Sequence, residues 1–261
     1  MKKRLTVWKR VIIILLTMLI ALVSFSTILY RDMLFRDYEN FDLAGSDGAI
    51  SILFVGNSQI FWGRVPKQLY TISRMYGIDV TYKDISSNGA HLSRSQDAAI
   101  AELQSGKYDF VVLQDNTRLL PGNIDDFFNV IRILCNEARA NGTVPVLYNP
   151  VVANDNRQPD TNRIAIFYEA YKRAADENDA ILVNAGAAWI CAYQDISEIS
   201  LFAWDGMHAN NAGGFLTACV FAATLFDLRI EEIPKNSIYK GSNAIKLAQI
   251  AWDFVQSSED R

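Results

Sequence analysis

Two histidines occur in the 261 residues, His91 and His208, so the neighbours of each are informative. His208 ends the run Trp204-Asp205-Gly206-Met207-His208, with an acid three residues before it. In a loop, such an acid can fold back so that its carboxylate accepts from the ring Nδ1–H. That fixes the tautomer and leaves Nε2 to take a proton from a hydroxyl. The same pairing also occurs as a cap or an incidental loop contact. A hydroxyl candidate lies far upstream, where the apolar run Ile50–Val55 stops at Gly56-Asn57-Ser58. The run is β-branched and aromatic, which suits a buried strand. A serine just past such a strand sits where an open α/β sheet holds its ligands. Read alone, these three residues favour a plain turn, because Gly and Asn accept positive φ and Ser caps the next segment.

Two more stretches fall at strand ends. Ser86-Ser87-Asn88-Gly89-Ala90-His91 contains a glycine that can bring a backbone N–H close to a reacting carbonyl, as an oxyanion hole requires. The strand-like run Phe110–Gln114 ends in amide side chains, and either Gln114 or Asn116 could supply a second donor. His91 could line a pocket, but no acid has the spacing to orient it, so a structural role is favoured. Four such candidates on one rim of a sheet are far less expected by chance than any one alone.

The elements that must position them alternate regularly. Apolar runs at 50–55, 78–85, 110–114, 144–148 and 180–184 read as strands. Between and after them lie segments at helical spacing near 66–76, 92–104, 124–140, 161–177, 212–226 and 243–256. Thr161 reads as a helix N-cap and Asn141-Gly142 as a helix stop. Strands alternating with helices imply an α/β fold: a doubly wound, mostly parallel five-stranded sheet flanked by helices, over residues 49–261.

Residues 1–10 carry five bases and no acid, and the following Val11–Tyr30 holds twenty residues without a charge. A helix of that length spans roughly 30 Å, so it reads as a transmembrane signal-anchor with residues 1–10 cytoplasmic. A cleaved signal peptide is the competitor, because Ser24-Phe25-Ser26 resembles a cleavage site. Residues 31–48 read as a juxtamembrane spacer, and the domain beyond is extracytoplasmic on either reading. Residues 11–261 carry 20 bases against 29 acids. That acidity argues against nucleic-acid binding as the main task. Cys135, Cys191 and Cys219 have neither metal-like spacing nor an even count, and the apolar patterns around Cys135 and Cys219 assign those two to packing.

The order of the four blocks resembles the SGNH (GDSL-type) hydrolase superfamily, named for a Ser, Gly, Asn and His in four blocks. Gly56-Asn57-Ser58 matches the first, with Asn57 where many members carry Asp. Gly89 matches the second, and Asp205-Gly206-Met207-His208 the last. Asn210-Asn211-Ala212-Gly213 also resembles the segment after that last block in the family. The similarity runs from about Ile50 to about Leu228. The third block departs: the family's asparagine would fall on Arg118 in Asn116-Thr117-Arg118-Leu119. Some branches, including sialate O-acetylesterase-like members, carry a glutamine at the strand end. The resemblance therefore assigns the side-chain oxyanion role to Gln114, with Asn116 as the alternative.

The resemblance implies a flavodoxin-like three-layer sandwich and a serine esterase, which the N-terminal segment marks as exported. Ser58 would be the nucleophile, His208 the general base and Asp205 its orienting acid. The Ser58 and Gly89 backbone N–H groups and the Gln114 amide would hold the oxyanion. An O-acetyl group on an envelope or external glycan is the expected substrate, with no cofactor and no metal. Asn57, His91, Trp62 and Trp204 could line the pocket, although Phe61, Trp62 and Trp204 could equally be core. The same machinery permits O-acyl transfer to a sugar hydroxyl. From another class, a non-catalytic glycan-binding or scaffold module would explain the irregular third block. A metal-dependent phosphoesterase lacks a clustered ligand set.

Overall fold

The computed structural model describes residues 7–29, 48–117, 124–196 and 198–259. The chain divides into two units, and the N-terminal one contains the helix α1 (Val7–Leu29). The expectation of a membrane-spanning helix over 11–30 is not met among the described residues, where no helix is long and apolar enough to cross a membrane. Residues 1–6 and 30–47, which include most of the expected basic tail and spacer, lie outside the described residues.

In the second unit, β1 (Ile50–Val55), β2 (Val80–Asp84), β3 (Phe110–Leu113), β4 (Val144–Tyr148) and β5 (Ile181–Val183) form one sheet in the order β2-β1-β3-β4-β5. Every pairing is parallel; Ile52 stands opposite Tyr82 on one side and Phe110 on the other. Helices cover both faces, which is why the strands are nearly continuous apolar runs instead of alternating ones. The expected strands at 78–85 and 180–184 are shorter because Ile78 N–H and Ala180 N–H close the preceding helices instead, donating to Ser73 O and Ala175 O. Pro145 sits inside β4, where a proline is normally unwelcome. Val144 N–H donates toward β3, to Asp109 O, so position 145 faces the β5 side, and β5 begins only opposite Val146. The missing N–H therefore removes no ladder bond.

The helices of this unit are α2 (Ser58–Phe61), α3 (Val65–Met75), α4 (Leu92–Leu103), α5 (Ile124–Ala140), α6 (Thr161–Glu177), α7 (Ala185–Asp195), α8 (Asn211–Phe226) and α9 (Ala244–Glu259). Asp160, one residue before the expected cap, caps α6 by accepting from Arg163 N–H at 3.1 Å. Gly142, at φ +74°, ends α5 as expected. α7 has no counterpart among the expected helices. Its sequence AGAAWICAYQD is apolar and small nearly all round, so it carries no stripe for periodicity to detect. Trp189 within it is wholly buried and donates its indole N–H to Thr217 Oγ1 on α8 at 3.1 Å. The loop bearing His208 thus comes after α7, not directly after the last strand. α8 is the most deeply buried helix, packed against α3, α7 and α9. Cys135 and Cys219 are buried and unpaired, and burial pushes the Cys135 thiol up to about 12.

Candidate active site

The chain reverses direction across the sheet between β1 and β3, and ligands gather at the carboxyl ends of strands around such a switch point. Ser58 stands there as the first residue of α2. Asn57 caps that helix: its Oδ1 accepts from Gln59 N–H at 3.1 Å, and its Nδ2 donates to Ala90 O at 3.2 Å. The cap fixes Ser58 at N1, a position whose N–H has no intrahelical acceptor. The amide also ties the serine turn to the loop after β2. Aspartate, acceptor-only when ionised, could make the cap but not the second bond.

The second half of the site is the loop between α7 and α8. An antiparallel bridge pairs Phe202 with Ala209, and Ala203 N–H donates to His208 O at 2.7 Å. The loop between them turns tightly through Gly206 at φ +69°. Asp205 folds back as its spacing suggested: Oδ1 accepts from Met207 N–H at 3.0 Å and His208 N–H at 3.1 Å, and Oδ2 lies 2.5 Å from His208 Nδ1. His208 Nε2 lies 2.8 Å from Ser58 Oγ, across 150 residues of chain. Burial works to raise the Asp205 carboxyl, but the hydrogen bonds from His208 and from the two backbone N–H groups together outweigh it and leave it below the ordinary carboxylate range. Nδ1 then carries the proton and Nε2 is the basic nitrogen facing the serine. Trp62 stacks on the imidazole, with centroids 4.4 Å apart and planes 17° apart.

Glycines let the two halves meet. A Cβ on Gly214, in the first turn of α8, would lie 1.8 Å from Gly63 O, in the turn after α2. The two backbones are therefore in direct contact. Gln68, buried on α3, donates through Nε2 to Gly63 O at 2.8 Å and to Asn211 O at 3.0 Å, pinning the serine turn to the start of α8.

The expected oxyanion donor Gln114 is a correction. Its side chain is fully buried beneath the Gly56-Asn57 turn, with Oε1 accepting from Asn57 N–H at 3.1 Å and Nε2 donating to Asp115 O. A backbone N–H can only donate and a carbonyl only accept, so the amide orientation is fixed, and burial keeps its second N–H away from solvent. Gln114 positions the serine turn. The alternative, Asn116, lies beside the Gly89 loop, its Nδ2 donating to Gly89 O at 2.9 Å. Gly89 takes φ +63°, and a Cβ there would meet nothing within 4 Å, so conformation, not space, requires glycine. Arg118, where the family asparagine would fall, lies outside the described residues. Gln114→Ala should lower stability by about 1–3 kcal/mol, because Asn57 N–H and Asp115 O lose buried partners. Chemical denaturation checks this. A loss of rate with unchanged stability would instead restore Gln114 as an oxyanion donor.

His91 has an acid after all. Its Nδ1 lies 3.4 Å from Asp115 Oδ1, which also accepts from Leu92 N–H at 3.0 Å and Asn116 N–H at 2.6 Å. The acid comes from the end of β3, a proximity that spacing along the chain cannot reveal. The group ties the Gly89 loop to β3, in keeping with a structural histidine.

A cavity of about 300 Å³ opens on the Asp205 side of the site. Its lining includes Gln59, Thr117, Asn154, Asp155, Arg157 and Arg163, and none of Asn57, His91, Trp62 or Trp204. Asn57 is buried as the cap of α2, Trp62 is spent on the histidine, and Trp204 is 48 % exposed with its ring 6.5 Å from that of Trp62. The lining residues missed in the sequence had one available signal: 154–157 come after β4 on the same rim as the four blocks.

No family model and no curated protein matches the chain. Solved structures do. A proposed SGNH hydrolase from Slackia heliotrinireducens is 25 % identical with a TM-score of 0.56, over 68 % of this chain and 99 % of its own. A DUF4886 family protein from Bacteroides uniformis is 18 % identical with a TM-score of 0.67, over 82 % and 96 %. A variant of Axe2, an acetyl xylan esterase from Geobacillus stearothermophilus, is 18 % identical with a TM-score of 0.57, over 73 % and 100 %. With the Ser58, Gly89 and Asp205–His208 blocks in order on one rim, the likeness to the proposed SGNH hydrolase gives the chain the fold of the SGNH/GDSL-type hydrolase superfamily.

Proposed function

We propose that this chain is an exported serine esterase that removes an acyl group, most simply acetyl, from a hydroxyl of an envelope or external glycan. The observation that carries the reading is the series Asp205–His208–Ser58, with separations of 2.5 and 2.8 Å. Ser58 Oγ attacks the ester carbonyl as His208 Nε2 takes its proton, and the acyl group passes to the serine oxygen. The departing alkoxide receives that proton from His208. Water, deprotonated in turn by Nε2, then attacks the acyl-enzyme carbonyl, and Ser58 Oγ leaves with that proton as the acid is released. Asp205 stabilises the imidazolium formed in each half. Backbone N–H groups of Ser58 and Gly89, with Asn116 nearby, are the donors for the oxyanion. Acetyl as the acyl group is favoured by the resemblance in fold to acetyl xylan esterases.

Export rests on the sequence: five bases, then twenty residues without a charge. The test of the whole reading uses a membrane-impermeant fluorophosphonate on intact cells carrying the full chain or its Ser58→Ala variant. Labelling of the first alone, on a band that resists carbonate extraction, supports an anchored external esterase; a labelled band in the medium indicates cleavage. Labelling only after lysis overturns export. No labelling and no ester turnover by the folded chain would favour the binding module.

Asp205 also sets a pH dependence of stability. Its folded carboxyl titrates below its unfolded value, so its contribution is complete above the unfolded pKa and disappears as pH falls through the folded one. Wild type should therefore exceed Asp205→Asn in Tm above the unfolded carboxyl pKa, and the margin should shrink below about pH 4. A margin that widens in acid would contradict this assignment.

A further inference from the structure

We propose that the cavity beside the Asp205–His208 loop holds the alcohol portion of the substrate, and that it selects a hydroxylated unit bearing a carboxylate, such as a uronic acid. The inference deepens the esterase reading and rests on it. At about 300 Å³ the cavity stands at the small end of ligand sites, which suits one sugar ring more than a polymer segment. It adjoins the reacting groups through the chain itself, because Gln59 directly succeeds Ser58 and Met207 precedes His208.

Gln59 sets the first requirement. The residue is 5 % exposed, and its Nε2 is directed to Met207 O at 3.5 Å. Its Oε1 is buried with no partner among the described residues. A buried amide oxygen is costly without a donor, and an O–H or N–H of a ligand in the cavity that Gln59 lines would relieve that cost. A bare anion cannot.

The two arginines set the second. Arg157 stands in the left-handed region at φ +58°, and its aliphatic stem covers Gly206: a Cβ there would lie 2.6 Å from Arg157 Cγ. Arg163 is anchored by one Nη2 bond to Thr117 O at 3.1 Å. Neither guanidinium makes an ion pair among the described residues. Elsewhere in this acid-rich domain, Arg74, Arg173 and Arg229 each lie beside a carboxylate, whereas Arg132 and Arg139 bond amide and backbone oxygens. Two arginines in one lining match a carboxylate by charge, and each guanidinium by its fork geometry. Asp205 also lines the cavity, but both of its oxygens are engaged by the His208 loop. Asp155 is exposed on the same lining and limits the net positive charge, which disfavours an extended polyanion. A donor at Gln59 together with an anion at the arginines describes a sugar acid.

The test measures binding of D-glucuronate and D-glucose, which differ at one carbon, to the full-length Ser58→Ala chain by ligand-observed NMR titration. Glucuronate should bind at least about tenfold more tightly. Arg157→Gln and Arg163→Gln should each bring the two sugars much closer in affinity. Arg173→Gln, on an arginine already paired with Glu177, should leave the ratio unchanged. Equal affinities, no binding of either sugar, or a preference that survives both cavity substitutions overturns the proposal. Turnover of p-nitrophenyl acetate by the wild-type chain is measured in parallel. Turnover without sugar discrimination removes the subsite and keeps the esterase. Discrimination without turnover removes the esterase reading, and with it the cavity's role as the alcohol site.

Discussion

Ser58→Ala is expected to reduce kcat for p-nitrophenyl acetate by roughly 10⁴- to 10⁶-fold and to abolish fluorophosphonate labelling, with the melting temperature nearly unchanged. The size reflects the division of labour. Without Oγ there is no acyl-enzyme, and His208 is left to activate water in a site built around the serine. A residual rate above the uncatalysed reaction is expected, because the oxyanion donors remain. Stability should hold because Oγ makes one hydrogen bond, to His208 Nε2, and the turn around it is organised by Asn57 and Gln114 instead. If the variant keeps its activity, the nucleophile is not Ser58 and the mechanism falls. If it unfolds, the serine is part of the scaffold, and labelling of the wild type alone must decide.

The second large effect is structural and acts from a position that touches no reacting atom. In Gly214→Ala the new methyl would lie 1.8 Å from Gly63 O and 2.4 Å from Gly63 C, so backbone, not a yielding side chain, must move. Overpacking of this kind costs about 3 kcal/mol or more, which lowers Tm by roughly 6–12 °C for a domain of this size. Because α8 carries the His208 loop at its start and Gly63 lies just past the serine helix, the displacement also separates Ser58 from His208. Activity should therefore fall at temperatures where the variant is still folded. Gly106→Ala is the control: Gly106 has φ +66° but nothing within 4 Å of a Cβ, so only backbone strain of about 1–2 kcal/mol applies. Circular-dichroism melts of the two variants compare them directly. Equal shifts, or an unchanged Gly214→Ala, would show that the Gly63–Gly214 contact does not hold the site together.

Sequence by itself determined the fold class and the four blocks on the rim, because these depend on local order. Strands buried on both faces are continuous apolar runs, and β1 and β4 have the boundaries their composition suggested. The Asp205–His208 bond was legible for the same reason, since three residues of loop bring the pair together. Only the tertiary structure decided what depends on atoms distant in sequence. Spacing could not show that Asp115 reaches His91, or that Gln114 turns beneath Asn57 instead of toward the substrate, because each is a contact between separate strand ends. Nor could it find α7, whose small apolar residues carry no period, or the cavity arginines, whose lack of a carboxylate partner exists only in three dimensions. The 2.8 Å between Ser58 and His208 belongs to this second group. It depends on two glycines, 151 positions apart, whose missing side chains let two backbones touch.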